Sequence, residues 1–294
     1  MAVEGRRLLA RRLVRVTALL IVLAIISAGV VVFIRSDKLS EGGAARLERL
    51  REQATERCIE EFPADVEDVD PREACSQGVY VEERDPRFFL TRLRDAALGT
   101  TAPLIILAWL IGGSFVGAEW HAATMGTLLT WEPRRTRVLV AKLVTVASLA
   151  AVGALLVQVL LGAALLPSAL LRGSTSGADA HWLQGTLGIV ARGSAMAAFA
   201  AVLGFSISSV ARNTAAALGA GFAYSAIIDP LVGAWRPRLQ QWLLVDNIAL
   251  FITGRDIAFP ATDRTASDAG LLLLAYALVI GALAVALFRW RDVT

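Results

Sequence analysis

Few side chains in this sequence are suited to covalent or metal chemistry. It holds two cysteines, Cys58 and Cys75, and two histidines, His121 and His181. The cysteines share one polar segment and neither histidine is near them, which disfavours a metal centre or a Cys/His nucleophilic pair. There is no Gly-x-x-x-x-Gly-Lys-Ser/Thr phosphate loop, no His-Glu-x-x-His, no Cys-x-x-Cys and no Gly-x-Ser-x-Gly. Chemistry inside apolar stretches is carried by Arg192 and Asp229. Counted from Arg212 and Asn213 they lie 20 and 16 residues along their runs. At the helical rise this is about 30 Å and about 24 Å. Similar depth makes them candidates for an intramembrane ion pair. The alternatives are that Arg192 snorkels to headgroups and that Asp229 caps a helix broken at Pro230.

The other marked stretch is SFVGAEWHAATMGTLLTWEPRRTRVLVAK, residues 114–142. An apolar run ends at Glu119. Residues 122–129 suit a short helix in which Gly126 allows another backbone to approach. Pro133 stops that helix, Arg134, Arg135 and Arg137 follow, and Lys142 stands where the next apolar run begins. Such a segment fits a rigid element that receives force from a partner. It equally fits an amphipathic connector whose arginines meet anionic headgroups.

The elements that must hold these residues are apolar. Of 294 residues, 56% are hydrophobic, and the charge is clustered. Six runs reach the roughly 18 residues needed to cross a bilayer as a helix. They cover 14–34, 99–118, 143–166, 187–210, 214–233 and 270–288. Helices are required, because backbone polar groups in lipid must be satisfied within their own segment, and no barrel alternation is present. The fold class expected is an all-α membrane protein with six transmembrane helices. The first run is too long for a signal-peptide core and lacks a convincing Ala-x-Ala site before Arg35, so it reads as an uncleaved span.

Orientation follows from basic residues. With the N-terminus inside, the cytoplasmic pieces 1–15, 119–142, 211–213 and 289–294 hold twelve Lys/Arg against four Asp/Glu. This favours both termini in the cytoplasm. Residues 1–13 read either as a basic amphipathic helix on the inner leaflet or as a plain topogenic tail. Residues 35–98 then form a small extracytoplasmic cap. Over 44–62, Leu47, Leu50, Ala54 and Cys58 share a helical face, ended by Pro63 and the acidic stretch 65–70. Cys58 and Cys75 both fall in this cap, where an oxidising compartment favours a disulfide. The remaining pieces are a cytoplasmic loop over 119–142, an outer loop over 167–186, a turn at 211–213, an outer region over 234–269 and a tail at 289–294.

The order Glu119, Gly126-Thr127, Leu128-Leu129, Pro133-Arg134-Arg135 and Lys142 resembles the permease subunits of type-2 ABC exporters. The resemblance follows the order of spans over most of the chain and is concentrated in 112–142 at the level of residues. It implies six spans with both termini inside and a coupling helix in the first cytoplasmic loop. Glu119, Gly126, Thr127, Pro133, Arg134, Arg135 and Arg137 would then couple to an ATPase. It implies a partner P-loop ATPase subunit that holds ATP and Mg, a second permease, identical or homologous, and contact with membrane lipid. No cofactor in this chain, no catalytic residue and no nucleic-acid partner are expected. By the same analogy the second and fifth spans line the path, with Trp109, Ser114, Thr214, Tyr224 and Ser225 as candidates. Gly112, Gly113, Gly117, Gly219 and Gly221 suit close helix packing. The region 234–269 would form re-entrant helices that close the outer mouth; a surface amphipathic loop is the alternative.

The intermediate, cysteine-containing cap departs from the family's usual short loop or large domain, leaving the cargo class open. The apolar spans favour a hydrophobic, lipid-like or drug-like cargo. Two other functions fit the same sequence: a transport-inactive relative passing a signal to its outer cap, and a membrane-embedded enzyme. A secondary transporter would show an internal repeat, and none is visible.

Overall fold

The computed structural model describes residues 2–37, 41–61, 71–72, 75, 86–122, 124–125, 134–254 and 264–290. Among these the architecture is helical, with no strand beyond an isolated bridge between Phe89 and Ser174. The elements are α1 (Ala2–Leu9), α2 (Arg12–Arg35), α3 (Glu41–Glu60), α4 (Arg92–His121), α5 (Arg135–Arg172), α6 (Ala180–Ala211) and α7 (Thr214–Ala223). A π turn (Tyr224–Ile228) joins α7 to α8 (Asp229–Trp235). A 3-10 turn (Pro237–Trp242), α9 (Leu244–Thr253) and α10 (Ala266–Trp290) complete the fold.

Six helical segments are long and apolar enough to cross a membrane: α2, α4, α5, α6, the α7–π–α8 unit and α10. Several outrun the apolar stretches that define them. The second begins at Arg92 and the third runs from Arg135 to Arg172. Helical hydrogen bonding depends on local backbone geometry, so it does not stop where the hydrocarbon does. At 38 residues, α5 is about 57 Å long at the ordinary rise.

At the centre is α6, with 67% of its apolar window buried, against 11% for α2 and for α7–α8. Small residues make this possible. The Cβ that Gly112 of α4 lacks would lie 2.8 Å from Ala201 Cα, and closer still to its carbonyl oxygen. Gly204 of α6 faces the Trp109 carbonyl in the same way. Helices in lipid gain little from apolar burial against each other, so close backbone approach and dispersion hold them together. Phe115 and Phe205, with ring centroids 6.4 Å apart, fill the space beside this seam. Of the glycines expected to pack closely, Gly112, Gly113, Gly117 and Gly221 do so. Gly219 differs: a Cβ there would meet nothing within 4 Å, because it faces outward from α7.

The N-terminal stretch differs from a continuous helix over 1–13. Arg11 is extended, at φ −66° and ψ 137°, and separates α1 from α2. Leu8 is buried among core residues, so α1 is docked on the bundle. Trp120 meets Phe288 edge-on at 6.1 Å, which brings the last turns of α10 to the same end as α1. The opposite end is closed where residues 88–90 run beside Ser174: Leu90 N–H donates to the Ser174 carbonyl at 2.9 Å, and Ser174 N–H to that of Phe88 at 3.1 Å. Cys58 on α3 is disulfide-bonded to Cys75. Pro63 and the acidic run 65–70 lie outside the described residues.

Candidate functional site

At the α1 end of the bundle, charges are gathered in a place where charge is costly. Lys142, two turns into α5 where its apolar run begins, is 0% exposed. Its Nζ donates to Glu119 Oε1 at 2.9 Å and to Glu4 Oε2 at 2.8 Å. Glu119 ends α4 and Glu4 sits on α1, so one ammonium joins three helices. Arg11 adds a second cation, with Nη2 3.8 Å from Glu119 Oε1. Its guanidinium also donates to the carbonyls of Ser114 at 2.8 Å and Phe115 at 2.9 Å. The Phe115 ring lies within reach of both cations, 4.9 Å from Arg11 Cζ and 5.1 Å from Lys142 Nζ. Both distances suit cation–π attraction.

Two acids and two bases balance formally. Burial lowers the pKa of Arg11 from its ordinary value, while Glu119 and Glu4 oppose that shift. A guanidinium stays charged through such a change. Each charge is tolerated because its neighbours replace water. Glu119 Oε2 is buried without a partner.

Beside the network, Arg212 stacks 4.7 Å above the Trp120 ring. Arg212 has φ 55°, the left-handed conformation that ends α6. Asn213 then starts α7 by accepting from Ala215 N–H at 2.8 Å. The turn between the fourth and fifth spans is thereby fastened to the end of α4.

Of the residues expected to couple, Glu119 lies in the buried network. Arg134 and Arg137 are exposed at the start of α5, and Arg135 is half-buried. Gly126, Thr127 and Pro133, with most of the short helix expected over 122–129, lie outside the described residues. Sequence reasoning missed Glu4 and Arg11. Glu4 carried a signal: it is the lone acid in a stretch with arginines at 6, 7, 11, 12 and 15.

The candidate path residues are distributed along the α4–α7 seam and beyond. Trp109 Nε1 donates to the Ala217 carbonyl at 3.1 Å and its ring packs on Gly221. Ser114 bonds to its own helix, and Thr214 fills the space that Gly117 leaves open. The Tyr224 hydroxyl accepts from Leu244 N–H at 3.0 Å. Ser225 is exposed and bonds back to Gly221.

Arg192 and Asp229 do not pair. Asp229 Oδ2 accepts from Val245 N–H at 3.2 Å, at the start of α9. Arg192 Nη1 donates to the carbonyls of Phe251 at 3.2 Å and Ile252 at 3.3 Å, at its end. The two charges bracket the ten-residue helix, about 15 Å long. Their signs match its dipole, acid at the N-terminus and base at the C-terminus. The π turn contributes to this arrangement. Pro230 has no N–H to give, and Asp229 N–H reaches back five residues to the Tyr224 carbonyl. Replacing Arg192 with Met is expected to loosen the last turn of α9 by about 1.5–3 kcal/mol, the scale of hydrogen bonds to a charged group. Amide exchange at residues 251–253 checks this. Unchanged protection there would rule out the capping role.

Among the described residues these features define a helical, multi-pass membrane protein with a four-charge network, centred on the buried Lys142, at one end of its bundle. No protein-family model matches the chain, and comparison with curated proteins and with solved structures gives no significant match.

Proposed function

We propose that this chain is the permease subunit of an ATP-driven exporter of the type-2 ABC kind, working with a separate P-loop ATPase and a second permease. One observation carries the reading. The segment 119–142 is joined end to end by the buried Glu119–Lys142 pair at 2.9 Å. A push on that segment therefore acts on α4 and α5 together, and through Glu4 on α1. A force-receiving loop needs that stiffness; a passive connector does not. Arg134 and Arg137 are exposed beside it, available to an acidic partner surface.

In this reading both termini and the 119–142 loop are cytoplasmic, and the disulfide-linked segment is extracytoplasmic. ATP binding closes the two ATPase subunits against the loop, and the permeases rock about the fixed network. This requires ATP to bind the two states with different affinity. The cargo is hydrophobic or lipid-like, in keeping with the apolar spans.

The test is purification of the tagged chain from its native membrane in mild detergent, with identification of stoichiometric partners. A P-loop ATPase is expected to co-purify with the wild type and to be lost from the Arg134→Glu, Arg137→Glu variant. Both positions are exposed, so that variant should insert normally. Glu119→Ala is expected to abolish cargo-stimulated ATP hydrolysis. A well-behaved complex that contains no ATPase would remove the exporter reading.

A further inference from the structure

At the end of the bundle away from α1, the fifth span stops in an unusual way. Its last residue, Trp235, is 78% exposed. Arg236 follows, its guanidinium 5.5 Å over the Trp235 ring. The chain then turns through the 3-10 segment, which carries Arg238 and Leu239. Around this corner is an open surface groove of about 490 Å³, lined by the five successive residues Trp235, Arg236, Pro237, Arg238 and Leu239. The turn is held by backbone bonds: Arg236 N–H to Val232 at 2.8 Å, Leu239 N–H to Arg236 at 2.8 Å, and Leu243 N–H to Gln240 at 2.9 Å. Tyr276 and Arg264 fix its far side by donating to the Trp242 and Gln241 carbonyls. The backbone that carries the groove is therefore fixed.

Its chemistry is two-sided. Arg236 and Arg238 are exposed and, among the described residues, pair with no carboxylate. Trp235 and Leu239 are exposed and apolar. The site lies at the end of a membrane-length helix, where tryptophan settles at headgroup depth. Two exposed arginines within one turn of chain at this depth offer charged donors that suit a phosphate diester. In the proposed topology these arginines stand on the side that short loops normally leave poor in basic residues. A requirement for them there is simplest if they bind an anion.

We propose that the groove around the corner from α8 to the 3-10 turn binds an anionic phospholipid of the bilayer, with the headgroup phosphate on Arg236 and Arg238 and an acyl chain on Trp235 and Leu239. Neutralising an anionic lipid with two arginines gives it preference over a zwitterionic one, whose choline cation would face the same guanidinium groups. The site needs no ATPase and no particular cargo, so its failure and that of the exporter reading are separable.

The experiment uses full-length protein in nanodiscs of phosphatidylcholine and phosphatidylglycerol, followed by native mass spectrometry of the lipid that stays bound. The wild type should retain phosphatidylglycerol preferentially. The Arg236→Gln, Arg238→Gln variant should lose that preference by about 25-fold, given roughly fivefold per basic residue. Should that variant fold poorly, raising the salt on the wild type reads the same interaction, since screening must erode the preference. Equal retention of both lipids by the wild type, a preference indifferent to salt, or an unchanged preference in the variant would overturn the proposal. So would displacement of the lipid by millimolar inorganic phosphate, which would assign the site to a free anion.

Discussion

Replacing Lys142 with Met is expected to cost about 3–5 kcal/mol of stability, the range for removing one partner of a buried ion pair. Lys142 Nζ lies 2.8 Å from Glu4 and 2.9 Å from Glu119. Without it, two carboxylates, each only 14% exposed, face each other with little water to screen them. Arg11, at 3.8 Å from Glu119 and committed to two carbonyls, compensates only in part. The chain's escape is to release α1, since Glu4 is the acid on the shortest of the three helices that the ammonium joins. The expected picture is a lower melting temperature in detergent and new protease cleavage within residues 2–11. The quadruple variant Lys142→Met, Glu4→Gln, Glu119→Gln, Arg11→Gln should recover most of the stability, because removing the whole network leaves no unpaired charge. On the exporter reading proposed above, coupling to ATP hydrolysis should be lost in that variant as well, which separates a role in folding from a role in transmission. A Lys142→Met protein that melts like the wild type would show that the network is dispensable to the fold.

The second large effect lies at the α4–α6 seam. Gly112→Val is expected to cost about 3 kcal/mol, the upper end of the overpacking range. The obstacle is backbone: Ala201 Cα stands 2.8 Å from the position of the new Cβ. A side chain can rotate away from such a clash, whereas a helix must move as a body. Moving α4 would also pull Trp109 from the Ala217 carbonyl and shift the Glu119 end of the network. Gly219→Val is the matched control, since nothing lies within 4 Å of its missing Cβ. It should leave the melting temperature close to the wild-type value, as the chemical change is the same without the clash. Thermal denaturation of the two purified variants decides. Equal melting temperatures would mean that the seam does not depend on close backbone approach.

Legibility from sequence followed the range over which each property is determined. Six membrane-length helices were readable from Val14 to Phe288, because an apolar run satisfies its own backbone bonds without reference to any neighbour. Small glycines marked α4 and α7 as closely packed, and the clustered arginines marked the α1 end. Helix ends were read short, since α4 and α5 continue as helices through polar turns that composition assigns to loops. Residue counting also placed Arg192 and Asp229 at similar depth, which the distances to opposite ends of α9 show to be incomplete information.

Depth is a one-dimensional quantity, and a sequence supplies it. Rotation about each helix axis and the identity of the neighbour are set by packing among distant segments. So the sequence by itself determined an all-helical chain with six membrane-length spans and charge gathered at particular levels. Only the tertiary structure decided that Glu4 shares Lys142 with Glu119 across 138 residues of chain, that α6 is the central helix, and that Arg192 and Asp229 cap α9 instead of each other. The physical reason is the same in each case. A buried charge takes whichever partner the packed helices bring within hydrogen-bond range, and that choice is made by the seams of small residues.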